Sequence, residues 1–161
     1  MMRFSKYNNK AHSHIRIVLV GTLILFFNPP IYSQSVDSSD EMGSVIVRIT
    51  GFTSDEGDCW FALDNSKEVY ESEDSVFIGK ILPIINNEVN LTIDSLQFGN
   101  YAIKVFHDEN GNGELDSNFL GIPSEDYGFS NDASGWFGPP RWEKAMFLLN
   151  EREMAIEISV D

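Results

Sequence analysis

Cysteine is almost absent from this sequence. The chain of 161 residues has one, Cys59, which therefore cannot form an intramolecular disulfide. Small exported domains often depend on disulfides, so this chain must be stabilised in another way. Cys59 lies in the apolar stretch "CWFAL", which favours a buried structural thiol over an exposed catalytic nucleophile.

Basic residues are also scarce. Eleven Lys and Arg oppose 25 Asp and Glu, which gives a formal net charge of -14. A chain this acidic repels nucleic acid and anionic membrane surfaces and attracts cations, so we expect no nucleic-acid partner. Solubility alone would explain the total charge. It would not explain why the acids cluster at residues 106–116.

Long apolar runs are scarce, and the main one lies near the start of the sequence. The run "IRIVLVGTLILFF" has about 13 residues, whereas a membrane-spanning helix needs roughly 20. A basic segment without acids precedes this run, and a short polar segment follows it. This layout predicts a secretory signal peptide over residues 1–33, with cleavage near Ser33 or Gln34. An uncleaved anchor is the alternative. We expect export to the periplasm or the exterior, with no stable membrane anchor after cleavage.

Sustained helical periodicity is absent. After a flexible lead-in at residues 34–43, short alternating stretches such as "SVIVRIT", "EVNLTIDSL" and "YAIKVFHD" are separated by turn residues, among them the "NN" of Asn86 and Asn87. This pattern predicts an all-β fold: a single antiparallel β-sandwich of about seven strands over residues 44–161, immunoglobulin-like or prealbumin-like. The last two strands are predicted to form a closing hairpin. Residues 107–143 show little strand pattern but many aromatics, which predicts one long ordered loop.

The stretch "FHDENGNGELD", residues 106–116, has the strongest chemical pattern. Alternate oxygen-bearing residues followed by a glycine match the first half of an EF-hand loop, in which the chain curls around a hard cation. The predicted metal ligands are Asp108, Asn110, Asn112, Glu114 and Asp116. Calcium is favoured over magnesium, because a loop with many oxygen ligands suits the larger ion.

The match to an EF-hand ends after these residues. Phe119 occupies the position of the bidentate Glu, and no amphipathic helix flanks the loop. The missing ligands would have to come from elsewhere in the long segment, and Glu125, Asp126 and Asp132 are the candidates. The alternative is a metal-free polar turn, because "NGNG" is also strong turn chemistry.

A hydrolase is the enzymatic alternative. It would use His107 with Asp108, and Ser130 or Ser134 would be the nucleophile. No nucleophile-elbow pattern surrounds either serine. A histidine held structurally at the end of a strand is therefore favoured, and we expect a non-enzymatic domain.

Aromatic residues suggest a ligand surface near "GWFGPPRW". The candidates are Trp136, Phe137, Trp142 and Tyr127. Exposed Trp side chains stack on sugar rings, which would suit a surface glycan. The alternative is that these aromatics plug one end of the sandwich.

The signature "FHDENGNGELDSNFLGIPSEDYGFSN" at 106–131, followed by "GWFGPP" at 135–140, resembles a family of exported bacterial domains of unknown function. The resemblance extends to Leu96, Gly99 and the adjacent Tyr101 and Ala102, and covers nearly the whole chain after the signal peptide. Cys59 and Trp60 depart from it, because plain strand residues are expected there. The resemblance implies export and a sandwich fold, and implies no activity. A weaker similarity links the strand before the loop to prealbumin-like and surface-protein repeat domains that carry calcium loops.

These observations together predict an exported, non-enzymatic domain of the cell envelope. It would be stabilised by calcium and would bind a surface glycan or an envelope protein. A hydrolase and a purely structural envelope module are the two alternatives. Paired, exposed Trp136 and Trp142 would favour the glycan, whereas burial of both would favour the structural module.

Overall fold

A computed structural model describes residues 41–72, 74–136 and 138–161. The predicted signal peptide, residues 1–33, lies outside the described residues, as does the lead-in up to residue 40. Within the described ranges, no helix is long and apolar enough to cross a membrane.

The described residues form two sheets. The first contains β1 (Met42–Thr50), β4 (Glu88–Gln97) and β8 (Glu153–Ser159), in the spatial order β4-β1-β8. The second contains β2 (Asp58–Asp64), β3 (Ile78–Pro83), β5 (Gly99–Asp108), β6 (Tyr127–Phe129) and β7 (Phe147–Leu149); its order is β3-β2-β5-β6, and β7 also pairs with β5. Two four-residue helices, α1 (Lys67–Tyr70) and α2 (Trp142–Ala145), accompany them. The prediction of a mainly β protein is confirmed.

The hydrophobic core lies between the two sheets. Alternate residues of β1 are fully buried, as the sequence pattern predicts, and they pack in one cluster with alternate residues of β2 and β5. The central members of this cluster are Val45, Val47, Ile49, Phe61, Leu63, Ile103 and Val105. Burial of each such side chain contributes roughly 1.5–3 kcal/mol to folding. The arrangement is that of a β-sandwich.

Strand pairing differs from the prediction in two ways. β8 runs parallel to β1, with Val45 opposite Met154 and Thr50 opposite Ser159, so the sandwich is not purely antiparallel. β7 pairs with β5 in the other sheet, so β7 and β8 do not form a closing hairpin. Alternation shows which face of a strand is buried, but it does not identify the partner strand. β1 also begins at Met42, two residues before the predicted start of the domain.

The predicted turn at Asn86 and Asn87 is present between β3 and β4. Both residues have positive φ angles, 57° and 60°, as a type I′ turn requires. The carboxylate of Asp55 accepts hydrogen bonds from both backbone N–H groups, at 3.0 and 2.6 Å. Asp55 therefore fixes this turn against the loop that joins β1 to β2.

The described part of the segment 107–143, which excludes Phe137, is not one loop. It contains β6, a 3₁₀ turn at Ser130–Asp132 and α2. Its aromatic residues Phe129 and Trp142 pack against Tyr70 of α1 in a second apolar cluster. The buried Ser130 hydroxyl donates to Ala145 O at 2.6 Å, which holds α2 against the 3₁₀ turn.

A buried ion pair joins β2 to β5 beside this second cluster. Asp64 is completely buried, and Lys104 Nζ lies 2.9 Å from its Oδ2. Lys104 Nζ also donates to Tyr70 O at 3.0 Å and lies 4.9 Å from the centre of the Tyr70 ring. No hydrogen bond of good geometry reaches either Asp64 carboxylate oxygen from the described residues. Lys104 is therefore the principal compensation for the buried charge.

We predict that Lys104→Met destabilises the domain by about 3–5 kcal/mol, because Asp64 would then be a buried charge without a cation. Urea denaturation followed by circular dichroism measures this change. Lys80→Met is the matched control, because Lys80 is exposed on β3, and it should change stability by less than about 0.5 kcal/mol. Equal, small effects of the two substitutions would contradict the assignment.

Candidate metal centre and adjoining groove

The end of β5 carries two buried polar side chains. His107 is opposite Cys59 and Asp108 is opposite Asp58 in the pairing of β2 with β5. His107 is completely buried, and Asp108 is 2% exposed. Burial, with a smaller contribution from Asp58, raises the pKa of the Cys59 thiol to about 12, so Cys59 is protonated and unreactive at neutral pH. The burial predicted for Cys59 is confirmed.

Asp108 begins a tight curl of the chain. Its two carboxylate oxygens accept hydrogen bonds from the backbone N–H groups of Asn112, at 3.1 Å, and Gly113, at 2.9 Å. Asn110 Oδ1 accepts from Asn112 N at 2.9 Å, and Asn112 Oδ1 accepts from Glu114 N at 2.8 Å. Side-chain oxygens at alternate positions of the loop therefore accept hydrogen bonds from the backbone of the same loop.

Asp116 completes the convergence of side chains in the loop. Its carboxylate accepts hydrogen bonds from the side-chain amides of Asn110 and Asn112. Four of the five predicted ligand side chains thus lie together, at positions 108, 110, 112 and 116. Glu114 is exposed and donates its backbone N–H to Asn112.

Glu125 closes the loop from the following segment. It is 7% exposed, and its two carboxylate oxygens accept from Glu109 N at 3.0 Å and Asp116 N at 2.9 Å. Of the three additional ligand candidates, Glu125 joins the loop. Asp126 instead faces His107, and Asp132 accepts a hydrogen bond from Ser159 N beside β8.

The oxygen donors of this loop are of the kind that calcium binds. Calcium binds six to eight oxygen ligands in flexible geometry. Asp108, Asn110, Asn112, Asp116 and Glu125 all supply side-chain oxygens that accept backbone or amide hydrogen bonds, and an oxygen with one such bond keeps a second lone pair. The backbone carbonyl of residue 114 would be a further ligand, as in an EF-hand loop.

Among the described residues, the contacts of His107 do not form a hydrolase triad. Its Nε2 donates to Glu56 O at 2.6 Å, and its Nδ1 faces Glu109 and Asp126 at 3.7 and 4.0 Å. Ser130, a candidate nucleophile, accepts a hydrogen bond from Ile103 N and donates to Ala145 O. Its hydroxyl is thus engaged with the backbone.

Trp136 and Trp142 do not form the exposed pair that the predicted glycan surface requires. Trp136 is 93% exposed, whereas Trp142 is 7% exposed and packs edge-on against Tyr70 at 5.7 Å. Phe137 lies outside the described residues. Tyr127 is partly buried and faces a different feature, a groove on the second sheet. Neither of the two outcomes considered for the Trp residues therefore applies.

This groove has a volume of about 600 Å³ and lies largely on the outer face of the second sheet. Trp60 and Phe106 are directly opposite each other on β2 and β5, and their rings stack at 5.7 Å with 18° between their planes. Tyr127, Ile81 and Lys80 also line the groove. The sequence pattern did not predict this groove, although Trp60 stands where a plain strand residue is expected.

The loop and the groove are in direct contact. Gly113 has a φ angle of 80°, and a Cβ atom there would come within 3.2 Å of the Trp60 indole. Leu115, two residues later, lines the groove. The conformation of the candidate calcium loop therefore sets one wall of the groove.

Comparisons with known proteins agree with the resemblance seen in the sequence. No curated protein and no solved structure matches this chain. The family described as "Uncharacterized protein conserved in bacteria (DUF2141)" matches residues 47–157, from within β1 to within β8. That match includes both sheets, the loop at 108–116 and the groove. The chain therefore belongs to this bacterial family.

Proposed function

We propose that this protein is an exported, non-enzymatic domain of the cell envelope that binds a surface glycan in the groove beside a calcium loop. Its sandwich would be of the immunoglobulin-like or prealbumin-like kind. The observation that carries this proposal is the stacked pair of Trp60 and Phe106 on the groove floor.

The chemistry of the groove suits a sugar. The faces of pyranose rings are lined with C–H groups, which pack on aromatic rings. Trp60, Phe106 and Tyr127 offer aromatic surface, and Lys80 and Asp74 place charged hydrogen-bonding groups at the same groove for hydroxyls. A largely apolar concave site with a few polar groups is the usual form of a small-ligand site.

Calcium would act on this groove through the loop. Ligation at positions 108–116 fixes the backbone that packs on Trp60 through Gly113. An ordered wall lowers the conformational cost of binding a ligand. The ion would therefore stabilise the fold and also support ligand binding, without taking part in a reaction.

A protein partner is the second candidate, and a specific observation favours it. Val76 and Ile81 line the groove and are 48% and 55% exposed. Exposed apolar residues grouped at a concave site are typical of protein-binding surfaces. Ile81→Ser separates the candidates: it should weaken binding of an envelope protein and leave glycan binding largely unchanged.

We predict that calcium stabilises the folded protein. A ligand that binds only the folded state adds on the order of 3 kcal/mol at a hundredfold excess over its dissociation constant. Thermal melts in millimolar calcium and in chelator should therefore differ by several degrees. Identical melting midpoints would remove calcium from the proposal.

We predict that Asp108→Ala abolishes this calcium response. The substitution removes a ligand and also two hydrogen bonds to backbone N–H groups, so some loss of stability is expected without calcium. The diagnostic quantity is therefore the difference between the calcium and chelator melts. Asp94→Ala is the control, because Asp94 is an exposed residue of β4 and β4 belongs to the other sheet. A response that survives Asp108→Ala would show that the loop is not the calcium site.

We predict that Trp60→Ala lowers glycan affinity about 5- to 150-fold, because loss of one aromatic stacking partner costs on the order of 1–3 kcal/mol. Binding would be measured on immobilised envelope glycans, with circular dichroism to verify folding. Trp136→Ala is the matched control, since Trp136 is exposed and does not line the groove. Loss of binding in the Trp136 variant alone would place the ligand elsewhere.

A further inference from the structure

The imidazole of His107 has one ring nitrogen with a partner and one without. Nε2 lies 2.6 Å from Glu56 O. A carbonyl oxygen can only accept, so Nε2 carries the proton. Nδ1 has no hydrogen-bond partner among the residues that the structure describes, although the side chain is completely buried. A buried polar atom left without a partner costs free energy.

Two carboxylates face this nitrogen. Glu109 Oε1 is 3.7 Å and Asp126 Oδ2 is 4.0 Å from Nδ1. The three atoms all lie within 4.8 Å of one another. In the neutral ring Nδ1 presents a lone pair, so three electron-rich atoms surround one small space. Such an arrangement is unfavourable unless a positive charge occupies that space.

We propose that His107 Nδ1, Glu109 and Asp126 bind a divalent transition-metal ion of the zinc class. One nitrogen and two carboxylate ligands would leave a fourth position for water, as in zinc sites with three protein ligands. In a tetrahedral zinc site, ligand atoms are about 3.4 Å apart. The observed separations of 3.7 and 4.0 Å would have to contract by about 0.3 and 0.6 Å to reach this value.

The residues around these ligands orient them for a metal. Histidines that bind metals almost always donate their other ring N–H to a carbonyl or carboxylate, as His107 does to Glu56. Thr53 holds both carboxylates: its hydroxyl donates to Glu109 Oε1 at 3.2 Å, and its backbone N–H donates to Asp126 Oδ2 at 3.3 Å. The Phe52 ring packs edge-on against the imidazole at 5.4 Å, which fixes the ring plane.

This site is distinct from the calcium loop. Adjacent residues divide between the two sites: Asp108 and Glu125 turn towards the loop, whereas Glu109 and Asp126 turn towards His107. The ligand chemistry also differs, because imidazole favours zinc-like ions and all-oxygen sets favour calcium. The Glu109 side chain is 48% exposed, so an ion can enter from solvent.

The test uses the full chain with His12→Gln and His14→Gln, so that His107 is its sole histidine. After removal of metals, Zn²⁺ is titrated in competition with a chromophoric chelator, and the ring nitrogens are followed by NMR. We expect one equivalent of bound Zn²⁺ and a large shift of the Nδ1 resonance. His107→Gln and Glu109→Gln should each lower the affinity by at least about tenfold, because even changes in residues behind the ligands cost 10- to 100-fold.

Two variants keep the test decisive. Glu109→Gln changes a half-exposed side chain, so it covers the case in which His107→Gln does not fold. Asp116→Asn removes a calcium-loop ligand and should leave Zn²⁺ affinity unchanged, which separates this inference from the calcium proposal.

Three results would overturn the zinc site. The first is equal Zn²⁺ affinity in the parent and in Glu109→Gln. The second is a protonated Nδ1 whose resonance zinc does not move, which would mean that His107 is an imidazolium paired with the two carboxylates. The third is an equal loss of affinity in Asp116→Asn, which would place the ion in the calcium loop.

Discussion

The burial of polar side chains at the end of β5 is the constraint on which the surrounding structure depends. His107 and Asp108 are buried on opposite faces of β5, at the point where the chain leaves the second sheet. Buried polar groups require partners, and two neighbouring segments supply them for His107 Nε2 and for the Asp108 carboxylate. Glu56 O comes from the loop before β2, and the backbone N–H groups of Asn112 and Gly113 come from the loop after β5. The hydrogen bond from His107 N to Asp126 O then fixes the approach to β6.

The same geometry links the loop to the outer face of the sheet. Because side chains alternate along β5, the residue before the buried His107 points outward, and that residue is Phe106. Its ring stacks on Trp60, which in turn supports Gly113 of the loop. A Cβ atom at residue 113 would require the indole to shift by a few tenths of an ångström. The buried His107 with its partners, the loop and the groove are therefore arranged around the last three residues of β5.

Local features could be predicted from the sequence, and long-range pairings could not. The alternation of Val45, Val47 and Ile49 identified a buried strand face correctly, and "NN" identified a turn, because both depend on near neighbours in the chain. The parallel pairing of β8 with β1 depends on residues more than a hundred positions apart. The choice of Glu125 over Asp132 as the residue that closes the loop, and the burial of Trp142 away from Trp136, likewise follow only from tertiary packing.

Two pairs of adjacent acids, at 108–109 and 125–126, face each other across this end of the sandwich. The fold places one member of each pair, Asp108 and Glu125, on backbone N–H groups, which stabilise a carboxylate without a counter-ion. The other two acids receive one hydrogen bond each from Thr53 and face a histidine nitrogen. Hydrogen bonds leave the net negative charge of the region unchanged, and the whole chain carries -14. Cations bound at this end would reduce the mutual repulsion of the acids. The charge balance of the fold therefore favours metal binding, as the ligand geometry does.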